Sequence, residues 1–158
     1  MNPPLVAEGL ASSVDLIAPW IVKDIRPLLA FLAPWLGMIG IIWAGEKRAN
    51  LRELFTFVAA GIQASVVLSM VPLVLSGAII EFQIWQIFTN VPLLLRVDGP
   101  GLLFACVASV LWIATSLYAI GYMRGLHEHA QTRFYSFFAI SLSATMGVAF
   151  SGNLLTIY

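Results

Sequence analysis

Four stretches of this chain run for 18 to 27 residues without a charged side chain, at 28–45, 54–80, 99–123 and 134–158. A hydrocarbon core about 30 Å thick is crossed by about 20 helical residues, each rising about 1.5 Å. Each stretch is long enough for one crossing. The sequence therefore predicts an all-α membrane protein with four transmembrane helices, at about 28–45, 54–75, 100–121 and 134–157.

The composition agrees with lipid as the main solvent. Hydrophobic residues make up 60% of the chain and charged residues only 10%, against about 25% charged in soluble domains. Eight basic and eight acidic residues are too few to cover a soluble core of this size. The net charge of zero argues against a nucleic-acid partner.

The basic residues favour one orientation in the membrane. Two predicted connections, 46–53 and 124–133, hold five of them: Lys47, Arg48, Arg52, Arg124 and Arg133. Short loops rich in Lys and Arg stay on the inner side, which places both chain termini on the outer side. Two basic residues beside the first predicted helix, Lys23 and Arg26, favour the opposite orientation. Residues 1–26 mix apolar positions with Glu8 and Asp15, and we expect an N-terminal interfacial amphipathic segment there, followed by a four-helix transmembrane domain at 27–158.

The connection between the second and third predicted helices faces the outside in this orientation. Residues 82–88 and 92–97 are rich in β-prone residues and are separated by a plausible turn, which predicts a short outer β-hairpin. An interfacial loop anchored by Trp85 is the alternative. Arg96 and Asp98 lie at the outer interface in both interpretations.

The predicted helices carry no residue that could relay a proton. Intramembrane Asp, Glu, Lys or His usually marks an ion or proton pathway, and the spans hold none. The inner loop contains Arg124, His127, Glu128, His129 and Arg133. Two histidines two residues apart do not define a metal site, and the chain has no further histidine to complete one. We therefore predict no catalytic, cofactor or metal site, and interpret the histidines as solvated residues or a proton-accessible inner surface.

The fourth predicted helix carries small residues at every fourth position: Ala139, Ser143, Gly147 and Ser151. Residues with this spacing share one helix face, and small side chains let membrane helices approach closely. The pattern predicts a helix-packing face. A hydrated polar track is the alternative. The second predicted helix has a weaker form of the same pattern, at Gly61, Ser65 and Ser69.

Three segments, 96–104, 116–135 and 147–156, resemble a known family. Their phrases include Gly-Tyr-Met-Arg-Gly-Leu at 121–126 and Glu-His-Ala-Gln-Thr-Arg-Phe at 128–134. They are similar to the amino-terminal part of the antiporter-like subunits shared by respiratory complex I and Mrp-type monovalent cation/proton antiporters. The phrases look most similar to the D subunit of the Mrp type.

The resemblance implies an outward amino terminus, a bacterial inner membrane and partners that are other integral membrane subunits. Family members have roughly fourteen spans, with a key glutamate in the fifth and lysines later. We therefore expect a structural N-terminal piece of a split antiporter-like subunit, whose proton-relay residues lie in partner chains. On this view the chain is not an enzyme by itself, although it can belong to an ion translocase or redox-driven proton pump. The alternatives are a small assembly or regulatory subunit without a transport role, and an autonomous four-helix transporter or channel lined by Ser and Asn.

Overall fold

The computed structural model describes residues 20–88, 91–126 and 130–157. It is mostly helical, with one small sheet. In chain order the elements are β1 (Ile21–Lys23), α1 (Arg26–Ala44), α2 (Ala49–Leu75), β2 (Ile79–Phe88), β3 (Val91–Val97), α3 (Gly99–Gly125), α4 (Gln131–Ala149) and α5 (Leu154–Ile157).

Three of these helices are long and apolar enough to cross a membrane. They are α1 with 19 residues, and α2 and α3 with 27 residues each. The fourth predicted crossing corresponds to α4, which has 19 residues but is not among these three because polar residues, including Gln131, Thr132 and Ser141, recur along it. The chain is a multi-pass membrane protein, and its described part contains three such helices where four were predicted.

The fourth helix also ends earlier than predicted. It stops at Ala149, and Ser151 forms an isolated antiparallel bridge with Leu95 of β3. The backbone N–H of Arg96 donates to the carbonyl of Phe150, and that of Gly152 donates to the carbonyl of Leu94. The sheet edge therefore takes over the backbone hydrogen bonds that a longer helix would have used.

The second helix starts earlier than predicted. It begins at Ala49, so Arg52 and Glu53, predicted in a loop, lie in its first two turns and are buried. The preceding helix ends at Ala44, and the next residue, Gly45, has a φ of 62°, in the left-handed region that favours glycine. At its other end α2 continues three residues past Pro72 and stops at Leu75.

The sheet has the order β1–β2–β3. The predicted hairpin is present in β2 and β3, which pair antiparallel with Ile80 opposite Val97. It starts earlier in the chain than the predicted 82–97, because β2 begins at Ile79. The first strand pairs parallel with β2, so Ile21–Lys23 is extended, whereas an amphipathic interfacial segment was predicted over 1–26. Residues 1–19 of that segment lie outside the described residues.

Two apolar clusters fix the helix directions. The sheet-side core contains Ala30, Val67, Met70, Ile80, Leu95, Val97, Leu102, Ala105, Met146 and Phe150. The central core contains Ile41, Ala59, Ala60, Trp112, Ala119, Tyr135 and Ala139. The start of α1, the end of α2, the start of α3 and the end of α4 all reach the sheet-side core, so neighbouring helices in the chain run in opposite directions.

Candidate functional site

The ends of the helices that lie away from the sheet carry a group of linked polar side chains, which we call the polar end cluster. It joins the α1–α2 loop to the start of α2, the end of α3 and the start of α4. Its members are Glu46, Asn50, Arg52, Glu53, Arg124, Gln131, Thr132 and Tyr135.

Arg52 is the central residue of the polar end cluster. Its side chain is only 1% exposed. One terminal nitrogen donates to Glu46 Oε2 at 3.1 Å and to Thr132 Oγ1 at 3.3 Å, and the other donates to Gln131 Oε1. The guanidinium carbon lies 5.4 Å from the centre of the Tyr135 ring, within the range of a cation–π contact. A buried charge is tolerated when it is paired in this way, and the fork geometry of arginine suits several acceptors at once.

A second arginine ties α3 to α2. Arg124 donates through Nε to Glu53 Oε1 at 2.9 Å and through a terminal nitrogen to Glu53 Oε2 at 2.6 Å. The same terminal nitrogen lies 2.6 Å from Asn50 Oδ1. Two parallel bonds between a guanidinium and a carboxylate are among the strongest polar contacts in proteins. Because the Glu53 side chain is 9% exposed and that of Arg124 is 52% exposed, the pair holds a nearly buried carboxylate against a half-exposed cation.

Glu46 in the α1–α2 loop connects that loop to α4. Its Oε1 accepts from the Thr132 backbone N–H at 2.9 Å, and its Oε2 accepts from Arg52. Burial acts to raise the pKa of the Glu46 carboxyl, but the hydrogen bonds from Thr132 and the charge and hydrogen bond of Arg52 outweigh it, so the pKa lies below its ordinary value. The loop carboxylate is therefore ionised when it binds Arg52.

Acid should weaken this connection in a way that depends on Glu46. Because its folded-state pKa is lowered, the carboxyl contributes stability above its ordinary pKa of 4.5, and that contribution is lost as the pH falls through the folded-state value. We expect the difference in unfolding midpoint between the wild type and Glu46→Gln to be largest near neutral pH and to shrink with acidification. Thermal unfolding in lipid nanodiscs over a pH series measures it. An equal difference at every pH would contradict the assignment.

The residues predicted for the inner loop are only partly brought together. Arg124 belongs to the polar end cluster, and Arg133 is exposed in the first turn of α4. His127, Glu128 and His129 lie outside the described residues. Within residues 20–88, 91–126 and 130–157, no group of three His, Cys, Asp or Glu side chains is placed to hold a metal ion.

The two residues predicted at the outer interface have local structural contacts. Arg96 lies opposite Glu81 in the hairpin, with 3.7 Å between its terminal nitrogen and Glu81 Oε1. Asp98 is the N-cap of α3, and its carboxylate accepts from the Gly101 backbone N–H at 2.9 Å. Such a cap satisfies a backbone donor that the first helical turn leaves unpaired.

The small residues predicted as a packing face lie mainly against α1. Ala139 is in the central core, and Ser143 donates to the carbonyl of Phe31 at 2.8 Å. A Cβ atom at Gly147 would lie 3.1 Å from the ring of the same Phe31. Ser151 lies in the turn after α4 and donates to the carbonyl of Val148. The first three residues therefore contact or approach other helices of the same chain.

Gly147→Leu should loosen the contact between α4 and α1. The new side chain would have to displace the edge of the Phe31 ring, which can rotate, so we expect a moderate loss of about 1–2 kcal/mol in the free energy of unfolding. Unfolding in bicelles measures this loss. Gly61→Leu is the matched control, because an added Cβ there meets no atom of the described residues within 4 Å. Equal stability of the two variants would show that Gly147 does not face a neighbour.

Sequence reasoning did not identify Arg52 and Tyr135 as contact partners. A signal was present in α2, because Arg52, Thr56, Ala59 and Gln63 follow one another at three or four residues, which is the spacing of a single helix face. A helix that continued back to residue 52 would have placed the arginine on the buried face. Because residues 46–53 were predicted as a loop, this helix face was not extended back to Arg52.

Comparisons with known proteins identify two similar antiporter proteins. No family model matches the chain. A protein named as antiporter subunit mnhA2, from Staphylococcus haemolyticus, is 31% identical over 92 residues, which are 58% of this chain and 11% of that protein. A protein from Rhizobium meliloti, named as an A/B subunit of a K(+)/H(+) antiporter, is 29% identical over 126 residues, 78% of this chain and 12% of that protein.

The chain thus spans about one tenth of the length of the curated relatives it matches. The similarity supports the predicted antiporter-like membrane subunit. Neither name refers to a D subunit, so the more specific resemblance to the D type, and the relation to complex I, stay predictions.

Proposed function

We propose that this chain is a structural unit of an antiporter-type membrane assembly that exchanges monovalent cations for protons. Its helices hold the assembly together, and the proton-relay residues lie in helices outside the described ones. In the split form of the proposal, those helices belong to a partner chain. Support comes from the similarity to two antiporter subunits and from the three apolar helices.

The main support for this proposal is the position of the charged residues in the described helices. Every charged residue of α1 to α4 lies near a helix end: Arg26, Arg52, Glu53, Arg124 and Arg133. The long middle sections contain no Asp, Glu, Lys, Arg or His. A proton pathway through a bilayer needs titratable groups at depth, so these helices can support such a pathway without forming its relay.

The polar end cluster suits a supporting role. Arg52 and Arg124 are both held by neighbouring helices or loops through several hydrogen bonds. A cation fixed in this way orients helix ends and is not free to carry charge. We infer that the cluster sets the relative positions of α2, α3 and α4, and so the shape of the surface that the other subunits meet.

The topology is part of the same proposal. The polar end cluster and its loops hold Lys47, Arg48, Arg52 and Arg124, which favour the inner side. The sheet then lies on the outer side, both termini are outside, and α4 forms a fourth crossing. The membrane would be a bacterial inner membrane, as in the resemblance to Mrp-type subunits.

Single cysteines can test this topology. In a Cys106→Ala background, Lys47→Cys should be protected from a membrane-impermeant maleimide added to intact cells, and Gln83→Cys in the hairpin should react. Both positions are exposed in the fold, so burial does not explain protection. Labelling of residue 47 with protection of residue 83 would reverse the orientation.

Purification of the native assembly tests the function. Tagged chain extracted in mild detergent should bring down antiporter-like subunits, including one whose membrane helices contain a glutamate and lysines. In liposomes, the assembly should couple a sodium or potassium gradient to proton movement, and the chain alone should not. Coupled flux with the chain alone would support an autonomous transporter and overturn the proposal. A stable particle without antiporter-like partners would favour the assembly or regulatory alternative.

A further inference from the structure

Three polar side chains are buried near the middle of α2 and α3. Gln63 is 0% exposed, Trp112 is 1% exposed and Ser116 is 0% exposed. Among the residues that the structure describes, neither polar atom of the Gln63 amide, nor the indole N–H of Trp112, nor the hydroxyl of Ser116 has a hydrogen-bond partner. These groups are therefore both fully buried and unpaired within the described part of this chain.

The three side chains lie at about the same level of the bundle. Arg124 near the end of α3 pairs with Glu53 near the start of α2, so the two helices run in opposite directions. Gln63 follows Glu53 by about 15 Å along the helix axis, at about 1.5 Å per residue. Trp112 and Ser116 precede Arg124 by about 18 Å and about 12 Å on the same scale. The level of Gln63 therefore falls between those of Trp112 and Ser116. This level is about halfway through a hydrocarbon core of about 30 Å.

Other hydroxyls of the bundle donate to a backbone carbonyl of their own helix, and the Ser116 hydroxyl does not do so in the described structure. Ser109, on the same helix, donates to the carbonyl of Ala105 at 2.7 Å. Ser136 and Ser141 on α4 also donate to carbonyls four residues earlier. Such bonds satisfy a hydroxyl inside a membrane helix. The Ser116 hydroxyl is instead left available to a group that does not belong to the helix.

The chemistry of these groups favours water over a bare cation. An unpaired amide buried in an apolar region is strongly unfavourable, whereas a buried water typically makes about three hydrogen bonds to such groups. The indole of Trp112 only donates, and the Gln63 amide both donates and accepts. A cation would be repelled by the donors, while water can accept from Trp112 and donate to Gln63 or Ser116.

We propose that water molecules occupy a site between α2 and α3 at Gln63, Trp112 and Ser116, and that this water reaches in from the polar end cluster only. Two further buried atoms have no hydrogen-bond partner in the described part of the chain, the hydroxyl of Tyr135 and Nε of Arg52, and they mark the way from that end. On the other side, Val67 and Met70 are 0% exposed and belong to the sheet-side core, which closes the path. Among the described residues, the hydrated site is therefore open toward the polar end cluster and closed toward the sheet.

Water-edited solid-state NMR of the full chain in lipid bilayers tests the proposal. The indole N–H of Trp112 should receive magnetisation from water at least about three-fold faster than that of Trp35, which lies midway along α1 and faces outward. Trp85 in the hairpin, 70% exposed, gives the fully hydrated reference. A Trp112 signal as slow as that of Trp35 would show that the site is dry and would overturn the proposal.

Gln63→Leu should slow the transfer to Trp112 by at least about half, because the water loses its amide partner. Ser109→Ala, which removes a hydroxyl already bonded to its own helix, should leave the rate unchanged. Gln63→Met serves the same purpose if the leucine variant does not fold. An unchanged rate in a folded Gln63 variant would contradict the assignment. Replacing sodium and potassium with choline should have no effect, and a cation-dependent signal would identify a cation site instead.

Discussion

Gly37→Ala is expected to destabilise the protein by about 2–3 kcal/mol, although it adds only one methyl group. An ideal Cβ at Gly37 would lie 2.5 Å from the Cβ of Ala59, far inside van der Waals contact. Because the Ala59 side chain has no rotamers, it cannot move away without a shift of α1 from α2. Residues of the α1 face that packs here are small, including Ala30, Ala33 and Ala44, and small residues permit such close approach in membranes.

A compensating substitution makes this prediction specific. Adding Ala59→Gly to Gly37→Ala removes the atom that the new methyl would strike, and the remaining backbone neighbours are 3.8 Å or more away. The double variant should therefore recover most of the lost stability. Gly121→Ala should cause no loss, because an added Cβ there lies more than 4 Å from every atom that it could strike in the described part of the chain. Unfolding of all four proteins in bicelles measures these differences. Failure of Ala59→Gly to rescue the variant would mean that the two helices are not in this register.

The long apolar helices could be predicted from the sequence, because lipid requires a length and polarity that few other structures need. The hairpin could also be predicted, since β-prone runs separated by a short turn are a local signal. The small-residue face of α4 had the right spacing, but spacing alone does not identify the neighbour. Ala33 and Gly37 of α1 have the same four-residue spacing, and it was not predicted that α2 packs against them.

The polar end cluster could not be predicted in the same way. A group of charges between two apolar stretches is usually a solvated loop, and the burial of Arg52 depends on Gln131 and Thr132, which lie about 80 residues away along the chain. The end of α4 likewise depends on the edge of β3. Both features come from contacts between distant segments, for which local sequence patterns give no signal.

Arg52→Met should cost about 2–4 kcal/mol in the free energy of unfolding, because it removes three hydrogen bonds and leaves the acceptors of the cluster without their common donor. The expected loss is smaller than for a fully buried ion pair, since the Glu46 side chain is 52% exposed and water can solvate it. Arg52→Lys keeps the charge, but a single ammonium group cannot reach acceptors on both sides of a guanidinium fork. We therefore expect the lysine variant to recover only part of the loss.

Two comparisons separate the role of Arg52 from that of charge in general. Arg48, four residues earlier and exposed, has a cation–π contact with Trp43 at 5.7 Å, so methionine there should cost no more than about 1 kcal/mol. In a double-mutant cycle, Arg52→Met and Glu46→Gln should couple by at least about 0.5 kcal/mol, because they act on one contact. The coupling should also decline with acidification, since protonated Glu46 no longer attracts the guanidinium. If Arg52→Met were as harmless as Arg48→Met, the cluster would not hold the helix ends, and the supporting role proposed for it would fail.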